Sequence, residues 1–158
     1  MIGQQVMEEQ TQHQIDIREA TNADMPGIVA LSQQWEAENI TYGYVSCTPE
    51  ILGLYRVWVA STADTVIGFL FGKKTMSDEL CVIPAGAATF EVEDFYLLPE
   101  FRNLGIGKNL LHHVEKQLQG EGTKYLLLST ATKDHQKIVK FYLETGFTVW
   151  TTTLFKQI

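Results

Sequence analysis

Two glycines separated by one residue stand where a strand-like segment gives way to a helix-like segment. The junction reads Arg102-Asn103-Leu104-Gly105-Ile106-Gly107 and continues with Lys108. The first turn of a helix carries unpaired backbone N–H groups and a partial positive charge, which together bind phosphate well. Glycines let a diphosphate approach the backbone closely, and Arg102 and Lys108 add positive charge at the rim. The pattern predicts a pyrophosphate-binding loop; the alternative is a helix that simply begins with two glycines.

Two familiar phosphate-binding motifs do not fit this junction. The dinucleotide-binding motif Gly-x-Gly-x-x-Gly requires a third glycine at position 110, which is Leu110, and it follows the first strand rather than a late one. The P-loop motif, Gly-x-x-x-x-Gly-Lys-Ser/Thr, is absent from the sequence. The loop therefore belongs to another class of phosphate site, if it is one.

Acidic and aromatic side chains supply the other candidate chemistry. Glu91 and Glu93 lie two apart in a strand-like segment, so they share a face, whereas Asp94 points to the other face unless a β-bulge resets the alternation. These carboxylates either bind a cationic substrate or form a solvated strand face. Tyr42 and Tyr44, after the first predicted helix, either make cation–π contacts with such a substrate or pack against the helix.

The elements that position these residues follow from hydrophobic periodicity, turn residues and helix caps. The predicted elements are strand 15–18, helices 24–38 and 48–55, strands 56–60, 65–71 and 88–98, helix 107–119, strand 125–128, helix 133–145, and strands 147–150 and 153–156. Antiparallel hairpins followed by a strand–helix–strand crossover predict an α/β fold with a mixed sheet and helices on its faces. We expect a tail at residues 1–14 and one domain at residues 15–158.

Composition narrows the class of function. The 158 residues carry a net charge of −7, which argues against nucleic acid as the main partner. Two cysteines and four histidines show no zinc-site spacing, so we expect no metal and a reducing compartment. The Gln-rich start lacks the features of a signal peptide, and no apolar run is long enough to span a membrane. A cytoplasmic protein without membrane partners is the expectation.

Taken together, these motifs resemble the GCN5-related N-acetyltransferase (GNAT) superfamily. Its acyl-CoA signature, Arg/Gln-x-x-Gly-x-Gly/Ala, matches residues 102–107 after Leu97-Leu98-Pro99. An aromatic pair before a Gly-Phe turn matches residues 141–147, and the opening strand and helix also match, so the resemblance covers nearly the whole chain from about Ile15. The short run Glu93-Asp94-Phe95-Tyr96 resembles the diamine/polyamine acetyltransferase branch.

The resemblance implies a mostly antiparallel central sheet and acetyl transfer from acetyl-CoA to a primary amine, by direct attack in a ternary complex. It implies Tyr142 as the acid that protonates the thiolate, unless that ring is a core aromatic, and Glu93 as amine anchor or water-mediated base, with Glu91 second. A backbone N–H near Leu97 or Leu98 would stabilise the oxyanion. Tyr42 and Tyr44 lie in the region that covers the acceptor, and members of the family are often homodimers.

The resemblance also implies a set of cofactor contacts. Residues expected to hold acetyl-CoA are Phe95, Tyr96, Leu97, Arg102, Asn103, Leu104, Gly105, Ile106, Gly107, Lys108, Ser129 and His135. His135 departs from the family pattern, because many members carry an asparagine seven residues before the tyrosine that Tyr142 matches.

The acceptor stays open at this point. A small polyamine or amino compound is the leading choice, and a protein N-terminus, an amino acid or an aminoglycoside are alternatives. A non-catalytic acyl-CoA-binding regulator would keep the glycine loop without needing Tyr142 and the carboxylates, so the presence of both favours catalysis.

Overall fold

A single five-stranded sheet organises residues 14–158, the part of the chain that the computed structural model describes. The strands are β1 (Asp16–Glu19), β2 (Arg56–Thr62), β3 (Thr65–Met76), β4 (Ala88–Leu97) and β5 (Tyr125–Leu128). They lie in chain order, β1 to β4 antiparallel and β5 parallel to β4. The predicted mixed, mostly antiparallel sheet is confirmed, and the predicted tail falls outside the described residues except for Gln14.

Four helices connect and cover these strands. They are α1 (Met25–Glu38), α2 (Pro49–Leu52), α3 (Ile106–Gly120) and α4 (His135–Glu144), with short 3-10 turns at Asn22–Asp24 and Pro99–Phe101. The Thr48 side chain accepts a hydrogen bond from the Ile51 N–H at the start of α2, and Asp134 accepts one from the Lys137 N–H at the start of α4. None of the helices in residues 14–158 has the length and apolar character needed to cross a bilayer.

The sheet is buried on both faces, because β2 and β3 present apolar side chains alternately to two layers. On one face, Trp58 and Leu70 pack with Leu110 and Val114 of α3. On the other face, residues of both strands pack against α1 and α2; this second cluster includes Ile28, Leu31, Leu52, Val57, Val59, Phe69, Phe71 and Tyr96. The predicted helices on both faces are therefore confirmed.

A β-bulge interrupts β4 near its middle. Phe71 of β3 lies opposite Asp94, whereas the next residue, Gly72, lies opposite Val92, so Glu93 is an extra residue without a partner on β3. Gly72 sits so close to β4 that a Cβ there would lie 2.1 Å from the Glu91 carbonyl oxygen, so only glycine fits. The bulge shifts the alternation of every β4 residue that follows it.

The two strands predicted at 147–150 and 153–156 are wrong. After α4 the backbone turns at Gly146 (φ 94°), and residues 148–158 are exposed and form no regular structure. The segment is rich in β-branched and aromatic residues, but strand propensity gives no strand without a neighbouring strand to bond to. In this structure the segment does not pair with β5.

Candidate active site

The predicted phosphate loop leaves a row of backbone donors free. The six consecutive N–H groups from Asn103 to Lys108 donate to no acceptor within residues 14–158, and the first backbone bond into α3 runs from the Asn109 N–H to the Gly105 carbonyl at 3.0 Å. Asn103 (φ 60°) and Gly105 (φ 81°) both adopt left-handed backbone conformations. Successive N–H groups in such a turn at a helix start form an anion-binding concavity.

The two glycines of the loop have different surroundings. A Cβ at Gly105 would meet no described atom within 4 Å, so this side of the loop is open. A Cβ at Gly107 would lie 3.6 Å from the Phe95 ring and 3.7 Å from the Phe141 ring, which is ordinary contact distance. Gly105 thus keeps the approach to the loop clear, whereas Gly107 faces the side chains beneath α3.

The basic side chains of the loop are paired with carboxylates. Arg102 donates from Nε to the Leu97 carbonyl at 2.8 Å and from its two terminal nitrogens to Glu38 at 3.0 and 2.9 Å. Its guanidinium also lies 5.3 Å from the centre of the Tyr96 ring. Lys108 pairs with Glu144 of α4 at 2.8 Å. The predicted positive rim is therefore largely neutralised, and the loop attracts an anion mainly through its N–H groups and the helix dipole.

A gap opens between β4 and β5 beside this loop. The parallel ladder ends at the pair Val92–Leu128, one residue before the bulge, while β4 continues to Leu97. The Leu98 N–H donates to the Ile67 carbonyl of β3 at 2.9 Å, so antiparallel alternation turns the Leu97 N–H away from β3, toward the gap. Of the two backbone N–H groups predicted as oxyanion donors, that of Leu98 already donates to Ile67, and that of Leu97 faces the gap.

The bulge gathers three carboxylates on the α1 face of the sheet. Glu93 pairs with Lys73 at 3.7 Å, and the Thr75 hydroxyl lies 3.5 Å from Glu91. Asp94, beyond the bulge, accepts a hydrogen bond from the Tyr44 hydroxyl on the same face at 3.0 Å. The bulge considered from the sequence is thus present, and it brings Asp94 to the face that Glu91 and Glu93 occupy.

Asp94 is the most perturbed acid of this group. Burial raises the pKa of Asp94 to about 6, the Tyr44 hydrogen bond opposes that rise, and the nearby charge of Glu93 adds to it. Because Tyr44 donates to Asp94, the Ser32 hydroxyl 3.0 Å away must donate to Tyr44. Ser32 in turn accepts a hydrogen bond from the Cys47 N–H at 2.6 Å. The Asp94 carboxylate is therefore the final acceptor in a chain of hydrogen bonds that runs from the Cys47 N–H through Ser32 and Tyr44.

An aromatic wall links this chain to the phosphate loop. Trp35 of α1 stacks on Tyr44, with ring centres 3.8 Å apart, and on Tyr96 at 5.3 Å. The Tyr96 hydroxyl donates to Glu38, the carboxylate that also holds Arg102. A continuous series of side-chain contacts therefore runs from Asp94 to the first residue of the loop.

Tyr42 lies apart from this wall. It is exposed, with Lys133 5.4 Å from its ring centre and the Phe155 ring edge-on at 6.0 Å. Its N–H donates to the Ala131 carbonyl at 3.0 Å, and the Lys133 N–H donates to the Ile40 carbonyl at 2.8 Å. The two predicted acceptor tyrosines are thus in different places, and the loop after α1 is joined to the loop after β5.

Other predicted residues meet in a cleft of about 1540 Å³ along β5 and α4. The cleft is lined by Tyr42, Glu91, Ser129, His135 and Tyr142 among others. Tyr142 is half-buried, and burial raises its pKa to about 12, so the phenol keeps its proton at neutral pH, as a general acid must. Ser129 and His135 are exposed. Phe95 packs against Phe141 under α3 rather than in the cleft.

Ser32 and the pairing of Glu38 with Arg102 have no signal in the sequence. Ser32 gains its role from its contact with Tyr44, and Glu38 and Arg102 are 64 residues apart. The Glu-Asp run that precedes the loop was the nearest sequence signal for Asp94. Within residues 14–158, no group of three or more His, Cys, Asp or Glu side chains could hold a metal ion.

Comparison with known proteins places this geometry in context. The model of the acetyltransferase (GNAT) family matches residues 15–147. No curated protein sequence matches the chain.

Solved structures of acetyltransferases share the fold at low identity. An aminoglycoside acetyltransferase from an uncultured soil metagenomic sample, in complex with trehalose, has a TM-score of 0.69 at 17% identity, over 91% of this chain and 95% of that one. The aminoglycoside N-acetyltransferase AAC(6')-Iy in complex with CoA has a TM-score of 0.68 at 19% identity, over 90% and 98%. A ribosomal-protein-alanine N-acetyltransferase from Brucella melitensis biovar Abortus 2308 has a TM-score of 0.68 at 18% identity, over 92% and 100%.

Proposed function

Because the chain belongs to the acetyltransferase (GNAT) family and is an N-acetyltransferase, we propose that it acetylates a primary amine that is positively charged in solution. The observation that carries this proposal is the bulge, which puts Glu91, Glu93 and Asp94 on one face beside Tyr44. Three carboxylates and an aromatic ring attract an ammonium group and disfavour an anionic acceptor. The fold is shared by enzymes with different acceptors, so the argument depends on these side chains.

The residues of the loop and the gap fit acetyl-CoA. We assign the diphosphate to the free N–H groups of residues 103–108, where Gly105 leaves open space. Ser129 and His135, beyond the end of β5, are assigned to the pantetheine arm that the gap between β4 and β5 would admit. Acetyl-CoA, when bound, supplies the acetyl group as a thioester.

The protein must then remove a proton from the acceptor, because an alkylammonium with a pKa of about 10.4 is not a nucleophile until it is deprotonated. We assign the anchoring of the ammonium to Glu93, which is exposed at the bulge, with Glu91 beside it. Asp94 accepts the proton, because its pKa of about 6 lies near the working pH of a general base. The amine nitrogen can then form its bond to the acetyl carbon.

Two further groups complete the transfer. The Leu97 N–H, which faces the gap, donates a hydrogen bond to the acetyl oxygen as negative charge develops on it. Tyr142 donates its phenolic proton to the sulfur as the carbon–sulfur bond breaks, and the second proton that the nitrogen loses on becoming an amide restores the phenol. Burial keeps that phenol protonated, so it is available as the acid.

The test is an acceptor screen that measures thiol release from acetyl-CoA at pH 7.5. The acceptors are polyamines, an aminoglycoside, free amino acids and a peptide with an N-terminal alanine. We expect turnover with polycationic acceptors, and Glu93→Gln should raise their KM while leaving the KM for acetyl-CoA unchanged. Preference for the peptide or for amino acids would overturn the proposed acceptor class, and tight CoA binding without any turnover would indicate a regulator. The polyamine acceptors in this screen test the resemblance of residues 93–96 to the diamine/polyamine acetyltransferase branch.

A further inference from the structure

We propose that Lys73 is an internal competitor of the acceptor, because its ammonium group occupies the position at Glu93 that the ammonium of the acceptor takes when it binds. This role rests on the proposed function, since it concerns the carboxylates assigned there to a cationic amine. It makes a basic residue of β3, which the mechanism does not use, a determinant of which amines bind. The evidence is the direction in which Lys73 points, how loosely it is held and how the charges of this face balance.

Lys73 lies on the same face of the sheet as the three carboxylates. It stands opposite Glu91 in the β3–β4 ladder, and residues that face each other across a ladder project to the same side. The next residue, Lys74, projects to the α3 side, where it pairs with Glu121 just after the end of α3. Of these two consecutive lysines, only Lys73 can therefore reach the carboxylates at the bulge.

The Lys73 side chain points along the strand toward the bulge. Its direct neighbour across the ladder is Glu91, yet its ion pair is with Glu93, at 3.7 Å between Nζ and Oε1. Glu93 is the extra residue of the bulge and has no partner on β3. The Glu91 carboxylate has the Thr75 hydroxyl 3.5 Å away instead. The ammonium of Lys73 thus lies at the carboxylate to which the anchoring of the acceptor is assigned.

The contact between Lys73 and Glu93 is loose enough for a ligand to displace it. A separation of 3.7 Å is longer than a charged hydrogen bond, whereas Arg102 and Glu38 approach to 2.9 Å. The Lys73 and Glu93 side chains are 48% and 40% exposed, so water screens their attraction. A lysine ammonium on its flexible stem can therefore move away from Glu93 at a small cost in free energy.

The charges of this face explain what the competition selects. Within residues 14–158, Lys73 is the one basic side chain that forms an ion pair with Glu91, Glu93 or Asp94. One ammonium cannot neutralise three carboxylates, so the face still attracts a cation. An amine whose single ammonium contacts only Glu93 gains little, because it exchanges one cation for another there. An acceptor with a second ammonium can also contact Glu91 or Asp94 and is retained.

The test is calorimetric titration of 1,4-diaminobutane into the chain saturated with CoA, at pH 7.5 and about 0.1 M salt, where charges more than about 10 Å apart are screened. We expect Lys73→Gln to bind the diamine about three- to fivefold more tightly than the parent chain, because an exposed ion pair no longer competes. Lys73→Arg keeps the charge and should bind the diamine as the parent chain does. Lys74→Gln removes the same charge from the opposite face and is the matched control, with a nearly unchanged Kd.

A double-mutant cycle tests whether Lys73 acts through Glu93. In a chain that already carries Glu93→Gln, adding Lys73→Gln should change the Kd for the diamine much less than it does in the parent chain, because the carboxylate for which the two cations compete is gone. Equal gains in the two backgrounds, or an equal gain from Lys74→Gln, would overturn the proposal, since net charge alone would then explain the result. An unchanged Kd in Lys73→Gln would overturn it as well.

Binding and turnover together separate this proposal from the proposed function. With an acceptor that is turned over, Lys73→Gln should lower the KM of that acceptor about three- to fivefold and leave the KM for acetyl-CoA unchanged. Tighter diamine binding by Lys73→Gln, in an enzyme that acetylates no cationic amine, would support the competition and overturn the proposed acceptor class. Turnover of polycationic acceptors with the same Kd in parent and variant would do the reverse. The absence of diamine binding to either chain would overturn both.

Discussion

Replacing Glu38 with glutamine should weaken coenzyme binding through Arg102. Glu38 accepts hydrogen bonds from both terminal nitrogens of Arg102 and from Tyr96, and the two side chains of the ion pair are 22% and 30% exposed. The variant loses a bidentate charged pair and leaves Arg102 free to move away from the Leu97 carbonyl. A charged hydrogen bond contributes roughly 1.5–3 kcal/mol, and partial exposure reduces that by about half, so the expected loss of free energy of coenzyme binding is roughly 0.8–1.5 kcal/mol.

The assay is calorimetric titration of CoA, together with the thermal midpoint of the free chain. We expect the Kd for CoA to rise about 5- to 10-fold, because the loop that carries the free N–H groups is no longer fixed at its first residue; about 1.4 kcal/mol corresponds to tenfold. Glu144→Gln is the control, since it breaks the Lys108 pair, whose side chains are 48% and 44% exposed, and should change the Kd by less than about threefold. If Glu38→Gln binds CoA as tightly as the parent chain, the inferred role of this pair in holding the loop is wrong.

Three further results should follow from the geometry. Tyr142→Phe should lower kcat by about 100-fold, which is in the range expected for the loss of general-acid catalysis, and should leave the Kd for CoA unchanged. If the rate constant of acetyl transfer measured in the pre-steady state is unchanged, Tyr142 is not the acid. The kcat/KM of the parent enzyme should rise with pH through about 6, as Asp94 loses its proton and becomes a base, and Asp94→Asn should abolish that limb; a limb that survives in the variant belongs to another group. Gly105→Ala should lower the free energy of unfolding in urea by about 1 kcal/mol, because Gly105 has a φ of 81°. Gly107→Ala should lower it by less, because a Cβ at Gly107 meets its neighbours at ordinary contact distances. Equal losses in the two variants would contradict this reasoning.

The parts of the fold set by local patterns could be predicted from the sequence. The spacing of Leu110, Leu111, Val114 and Leu118 predicts α3, and these residues are buried. The free N–H groups of the glycine loop could be predicted as well, because the loop and the helix start that leave them unpaired lie within seven consecutive residues. The strands to Leu128 and all four helices follow from the same short-range signals.

The parts set by partners distant in the chain could not be predicted. The bulge at Glu93 depends on how β4 meets β3, and the Tyr44–Asp94 contact joins residues 50 apart. The strands predicted beyond Phe147 have the right residues, but a strand also requires an edge within reach, which composition does not encode. The ion pair of Arg102 with Glu38 could not be predicted either, because it forms only when the end of α1 lies beside the loop.

The backbone bonds between the loop after α1 and the loop after β5 have a kinetic consequence. Thr41 bridges to Thr132, and the bonds from Tyr42 to Ala131 and from Lys133 to Ile40 flank that bridge on either side. The loop after α1 and the loop after β5 should therefore move together, and neither can move away from the other unless these bonds break. Binding of either substrate should slow amide hydrogen exchange at Tyr42 and Lys133 together, so the substrate that binds first should fix the conformation of both loops before the second binds.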